Sequence, residues 1–167
     1  HYLLGLGLLE VGRLDAAAAA LAAAQEHGFA AVGRELGRVR LRQRRIPEAR
    51  TLLETAVEDA PADPVAQHAL GKVLEAAGEP AGALAALREA VRLAPQMEVA
   101  HHDLGVLAGR QGDVAAGFFH LGVAFRLRGE YPQAVSQFEK AYAQAAPGSA
   151  IAAQARSELT ALGVDEQ

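Results

Sequence analysis

The residues of this chain best equipped for chemistry are its six histidines and a crowd of arginines. His68 and His102 recur 34 residues apart, His101 adjoins the second, and His120 follows. Imidazoles repeated at a fixed interval raise the question of a shared metal. Seven arginines fall between Arg34 and Arg50. Arginine pairs bidentately with carboxylates and stacks on aromatic rings, so such a run suits an acidic partner. Its plain alternative is a solvated helix face. Nothing groups into a catalytic constellation. There is no nucleophile elbow, no phosphate loop and no HExxH zinc motif, and the acidic residues are scattered singly. Gly5-Leu6-Gly7 lies inside a helical pattern with no strand before it, so it is no dinucleotide loop. No catalytic residue is expected.

Composition narrows the field further. The 167 residues contain no Cys, no Trp and one Met, and 51% are apolar while only 5% are aromatic. Absence of Cys excludes disulfide frameworks, Cys-ligated zinc and thiol chemistry together. A net charge of −4 argues against general nucleic-acid binding. No apolar run reaches the length of a membrane span, and no secretory leader is visible. The compartment stays open between cytoplasm and periplasm. The chain opens on His1 rather than Met, so we expect a piece of a longer protein.

The elements that must position these side chains announce themselves by repetition. Leu-Gly occurs at Leu4-Gly5, Leu36-Gly37, Leu70-Gly71, Leu104-Gly105 and Leu121-Gly122, at steps of 32, 34, 34 and 17. A small residue follows each at matching steps: Ala17, Ala49, Ala83, Gly117 and Ala134. Turn signals separate the two halves of every unit, at Gly12, Arg44 to Pro47, Gly78 to Pro80, Gly112-Asp113 and Gly129 to Pro132. Second breaks come at Gly28, Pro61 to Pro64, Pro95 and Pro147-Gly148. Each unit therefore reads as helix, turn, helix, turn. A Gly inside a helix costs about 1 kcal/mol against Ala, so five at matched places imply close helix approach. The matched Ala or Gly is expected to supply the other side of that contact, with large Leu and Phe filling gaps between units.

The step of 17 is half a unit. Residues 114–128 satisfy both helix templates at once, so this helix is expected to be the most buried and to disturb the alternation of first and second helices. Ser149 is expected to cap a last helix, Ala150 to Leu162, that closes the array. At the other end Tyr2, Leu3, Leu6 and Leu9 are expected to lack an earlier neighbour.

This pattern resembles the tetratricopeptide repeat. The family's positions fall on Leu70, Gly71, Leu74, Ala83, Leu87, Ala90 and Pro95 in the third unit. In the last they fall on Phe118, Leu121, Gly122, Phe125, Ala134, Phe138 and Ala141. The resemblance implies an all-α chain, a right-handed superhelical solenoid of antiparallel helix pairs with about five repeats and a C-terminal capping helix. The repeats would span 1–28, 30–63, 64–97, 98–128 and 115–148, with the cap at 149–162 and a flexible tail at 163–167. It also implies a non-catalytic protein–protein interaction module, whose first helices line a concave groove. The ligand stripe then comprises Arg34, Arg38, Leu41 and Arg42; His68, Lys72 and Glu75; His102, Val106 and Arg110; and Phe119, Val123 and Arg126. That stripe is mostly basic and suits an acidic peptide, a C-terminal carboxylate or another domain of the parent chain. The family's carboxylate clamp also uses Asn, which this chain lacks, so that specificity is not carried over. Adjacent first helices lie about 10 Å apart, too far for His68 and His102 to share a metal. The histidines are expected to line the groove, with no metal and no cofactor. No nucleic acid and no membrane span is expected.

The C-terminal run from His101-His102-Asp103-Leu104-Gly105 through Phe119-His120-Leu121-Gly122 to Pro147-Gly148-Ser149 also resembles the tail of bacterial BepA-like zinc metallopeptidases. That resemblance implies a substrate-recruiting or regulatory tail, periplasmic, behind a peptidase domain. Self-association through the open N-terminal edge, as a structural scaffold, is the third expectation.

Overall fold

A computed structural model describes residues 1–25 and 31–164. The expected break at Gly28 and the end of the expected tail, residues 165–167, lie outside the described residues. Among the described residues ten helices run α1 (Tyr2–Glu10), α2 (Leu14–Gln25), α3 (Val32–Arg42), α4 (Ile46–Asp59), α5 (Pro64–Ala76), α6 (Pro80–Leu93), α7 (Glu98–Arg110), α8 (Val114–Leu127), α9 (Tyr131–Gln144) and α10 (Ala150–Ala161). No strand occurs among the described residues. The chain is all-α, as the repeat pattern predicts, and forms two compact units, His1–Leu93 and Ala94–Gln167.

Local chemistry sets where each helix begins and stops. Proline occupies the first positions of α4, α5 and α9, where its missing N–H is harmless. Asp63, Asp113 and Ser149 accept backbone N–H bonds at the starts of α5, α8 and α10. The stops of α1, α5, α7, α8 and α10 share one device. Gly12, Gly78, Gly112, Gly129 and Gly163 all take positive φ. In each case the next residue's N–H returns to a carbonyl five residues back, as in Glu79 to Leu74, 2.9 Å, and Asp113 to Ala108, 3.0 Å. The stop of α3 keeps the bond without the glycine. Arg44, with φ of 62°, stands where the others have Gly, and Arg45 N–H still reaches Arg40 O at 2.9 Å.

In the first unit α1, α2 and α3 enclose Leu9, Ala17, Leu21, Ala24, Val32, Leu36 and Val39. A neighbouring cluster of Ala49, Leu53, Ala69 and Val73, flanked by Leu41 and Leu70, joins α3, α4 and α5. The edge of α1 is more closed than expected. Leu9 is buried and Tyr2 packs on the core, because α1 folds these residues onto α2 and α3. Leu3 and Leu4 remain 80% and 58% exposed. Leu36, in the register position of Leu4, is only 5% exposed.

The Leu-Gly register reports helix contact, but through a different partner than expected. A Cβ added at Gly5, Gly37 or Gly71 would come within 2.6–2.7 Å of Leu21, Leu53 or Leu87. These large residues sit four positions after the matched Ala and press into the glycine notch of their own helix pair. The small residues Ala17, Ala49 and Ala83 are fully buried beside them.

The second unit repeats this twice across one helix. Gly105 of α7 receives Leu121 of α8, and Gly122 of α8 receives Phe138 of α9. Leu121 is thus the inserting residue of one pair and the Leu of the next Leu-Gly. Here too the helices touch backbone to backbone: a Cβ on Gly117 would lie 3.0 Å from Gly105 O and 3.0 Å from Gly109 Cα. Helix α8 is not the most buried helix. It has five buried residues, whereas α5 and α7 have six each. Both its faces are covered, yet its bulky Phe118, Phe119 and Phe125 stay partly exposed.

Candidate functional site

The expected stripe begins on α3 with two arginines, and both are spoken for. Glu35 lies between them in sequence and is 2% exposed. It accepts from Arg34 Nε at 2.8 Å and from Arg38 Nη1 at 2.6 Å. Arg34 Nη1 also reaches Asp63 Oδ2 at 2.5 Å, tying α3 to the start of α5. Burial opposes the charge on Arg34, but the bonds to Asp63 and Glu35 outweigh it and hold the guanidinium protonated. Burial likewise pushes the Asp63 carboxyl up. The Arg34 bond and the N–H groups of Ala66 and Val65 outweigh that and hold it below the usual range. The result is a four-member chain, Arg38–Glu35–Arg34–Asp63, with two charges of each sign.

The other members of the stripe are similarly engaged. Arg42 donates to Leu9 O at 3.0 Å, satisfying a carbonyl near the end of α1. Leu41 packs on the core between α3, α4 and α5. On α5, Lys72 pairs with Glu75 at 3.1 Å, and His68 is half-buried. On α7, His102 lies 3.5 Å from Asp103, Val106 is half-buried and Arg110 is exposed. On α8, Phe119 packs against Phe138, with ring centroids 5.8 Å apart. Arg126 Nε stands 3.0 Å from Glu158 of α10, at an angle too poor for a hydrogen bond. Val123 leaves the stripe: it is 4% exposed, because α9 covers that side of α8.

The histidine that register matching passes over is the buried one. His101 faces the core of the second unit, its Nε2 3.2 Å from Pro95 O and its Nδ1 3.1 Å from Nδ1 of His120. Pro95 O can only accept, so neutral His101 carries its proton on Nε2 and accepts from His120 at Nδ1. Burial pushes its imidazole below the ordinary 6.5, and the charge of Arg126 pushes the same way, against the pull of the Pro95 carbonyl. The signal is present in the sequence. Gln67 occupies the same register position 34 residues earlier, is also buried, and donates to Pro61 O at 3.4 Å. In both units a buried amide or imidazole stitches its helix to a loop proline six residues back. Among the described residues no group of three or more His, Cys, Asp or Glu could hold a metal ion.

Glycine-notched helix pairs at this interval define a helical-repeat protein of the protein-interaction kind. The chain belongs to the tetratricopeptide repeat family, whose profile matches residues 34–98 and 97–150. Members of this family are generally non-catalytic interaction modules. Solved structures share the fold. MamA from Desulfovibrio magneticus RS-1 (residue 41 to the end) superposes with a TM-score of 0.68 at 24% identity, over 77% of this chain and 74% of that one. TTC0263, a thermophilic tetratricopeptide protein of Thermus thermophilus, gives 0.62 at 21% identity, over 95% and 97%. YrrB, described as having an unusual peptide-binding site, gives 0.58 at 22% identity, over 92% and 88%. No protein of curated function matches the chain.

Proposed function

We propose that the chain captures an acidic polypeptide segment or a C-terminal carboxylate along its first helices. The face of α3 and α5 in the first unit is the best-formed part of that surface. The observation that carries this reading is the anchoring of Arg38. Its Nη1 is fixed on buried Glu35, while its side chain remains 38% exposed. A guanidinium held by one edge loses little freedom when its other edge meets a carboxylate, which favours binding. Lys72 and His68 on α5 supply further donors on the same helix face. The test is a display library of free-C-terminus peptides panned on the chain. Acidic sequences are expected to enrich, and Arg38→Ala with Lys72→Ala should weaken the selected peptide about tenfold with helicity unchanged. Enrichment of apolar peptides, or undiminished binding by the double variant, refutes it.

Two further readings have their own support. The run from His101 to Ser149, with its shared helix and Ser-capped last helix, fits a recruiting tail on a zinc metallopeptidase. A zincin motif encoded in the same reading frame is the check. Exposed Leu3 and Leu4 fit self-association along α1. Sedimentation showing a monomer at high concentration counts against that.

A further inference from the structure

The arginine cluster between Arg34 and Arg50 is only partly used by the fold. Arg34 and Arg38 are on Glu35, Arg40 and Arg45 share Glu48, Arg42 is on Leu9 O, and Arg50 is on Glu54 and Glu79. Arg44 is exposed, and its guanidinium meets no partner among the described residues. Arg13, on the preceding helix-pair turn, is exposed and equally without one among them.

These two turns lie together. Arg13, Asp15, Gln43 and Arg45 line one open depression, and Gln43 Nε2 donates to Asp15 Oδ1 at 2.7 Å across it. Register makes the charge informative. Arg13 and Arg45 stand at the start of second helices, where the later turns have Glu79, Asp113 and Glu130. An acid is the favoured residue there, because the first N–H groups of a helix are unpaired and carry partial positive charge. Asp113 satisfies one of those groups in α8. Arg45 caps α4 with no side-chain bond. At this position the first two turns carry cations, with Asp15 and Glu48 inside the first turns of α2 and α4. Arg40 and Arg45 share Glu48 at 3.3 and 2.7 Å, and Asp15 accepts from Gln43, so Arg13 and Arg44 meet no carboxylate among the described residues.

We infer that this corner docks an acidic segment of a polypeptide partner, whose carboxylates pair with the guanidinium groups of Arg13 and Arg44. It is separate from the first-helix surface above, since none of its residues belongs to that stripe. Carboxylates suit it better than a phosphate polymer because Asp15 and Glu48 interrupt the basic field and would oppose a continuous backbone charge, whereas spaced side chains can avoid them.

The test measures anisotropy of a labelled Glu- and Asp-rich peptide on the whole chain at low salt, beside a single-stranded oligonucleotide of equal charge. Arg44→Gly suits the backbone and cannot unfold the turn, so it is the primary variant, and Arg13→Ser is added to it. Measured in a chain that carries Arg38→Ala and Lys72→Ala to silence the first-helix surface, peptide affinity is expected to drop about threefold in the single variant and about tenfold in the pair. No peptide binding, undiminished binding by the pair, or equal affinity for the oligonucleotide overturns the proposal. Complete loss of binding on Arg38→Ala with Lys72→Ala, before either corner arginine is changed, assigns the peptide to the first-helix surface and also overturns it.

Discussion

Gly105→Ala probes the tightest glycine approach to neighbouring backbone among the described residues. The added methyl would lie 2.9 Å from Gly117 O, 2.9 Å from Leu121 N and 2.9 Å from Leu121 Cγ. Two of these three atoms are backbone, so no change of rotamer relieves the clash. The helices α7 and α8 must part by about half an ångström to reach ordinary van der Waals separation. Helix α8 has little room to retreat, since its other side is notched by the Phe138 ring at Gly122. Overpacking of a tight core costs about 1–3 kcal/mol, and a backbone-limited contact belongs at the upper end. Alanine returns about 1 kcal/mol through its better helix propensity, leaving a net loss of about 2 kcal/mol. Gly109→Ala is the internal control. It lies one turn further along α7, and a Cβ there meets nothing within 4 Å, so the variant should gain up to about 1 kcal/mol. The two variants should differ by about 3 kcal/mol, or roughly 6–12 °C in melting temperature for a chain of this size. Thermal melts followed by far-ultraviolet circular dichroism measure this. If the two variants melt together, the glycine notch is not what sets the helix spacing.

Three other outcomes follow from the same register. Arg44→Gly should stabilise by about 0.5–1 kcal/mol, because a side chain in the left-handed region is strained and glycine is not; a lower urea midpoint sinks this. His101 is held neutral, so its contribution is complete above its unfolded value of 6.5 and is lost as pH falls through the depressed folded value. Stability should therefore fall from pH 7 to pH 5. His101→Gln, which installs the residue found at Gln67, should keep the bond to Pro95 O and flatten that slope, and an unchanged slope rules His101 out as its source. Asp63→Ala removes the cap of α5 and the partner of Arg34 and should cost about 1–2 kcal/mol. Asp63→Ser, which can still cap, should recover part of that in chemical melts, whereas equal losses would mean the cap is idle.

The repeat length, the helix order and the glycine notches are legible because each leaves a cost in the sequence. A Gly inside a helix needs a compensating contact, and five at matched places betray a shared one. What recurrence does not reveal is which of two recurring residues meets the glycine. The matched Ala and the Leu four positions later share one helix face, so periodicity alone cannot choose Leu21 or Leu53 over Ala17 or Ala49. Only the longer side chain reaches the notch. The double duty of residues 114–128 is legible for the same reason, since both templates fit. Its burial falls short of expectation because an apolar side chain on every face does not by itself bring a neighbour to every face.

The charged surface is harder to read, for a physical reason. Choosing one stripe of a helix selects residues that share a direction and omits their neighbours. A stripe that keeps Arg34 and Arg38 drops Glu35, one and three positions away, so it looks basic when its charges are paired. The spacing of three between Glu35 and Arg38 already allows that pair. His101 escapes in the same way. Matching His68 with His102 follows register correctly but attends to residue type, and the preceding position carries Gln67 in one unit and His101 in the next. A position that turns inward keeps its task of reaching the loop proline while its side chain changes from amide to imidazole. Only the second of these titrates near neutrality. The two units therefore share one stitch in geometry but differ in their response to acid, and that difference follows from a single residue at an otherwise equivalent position.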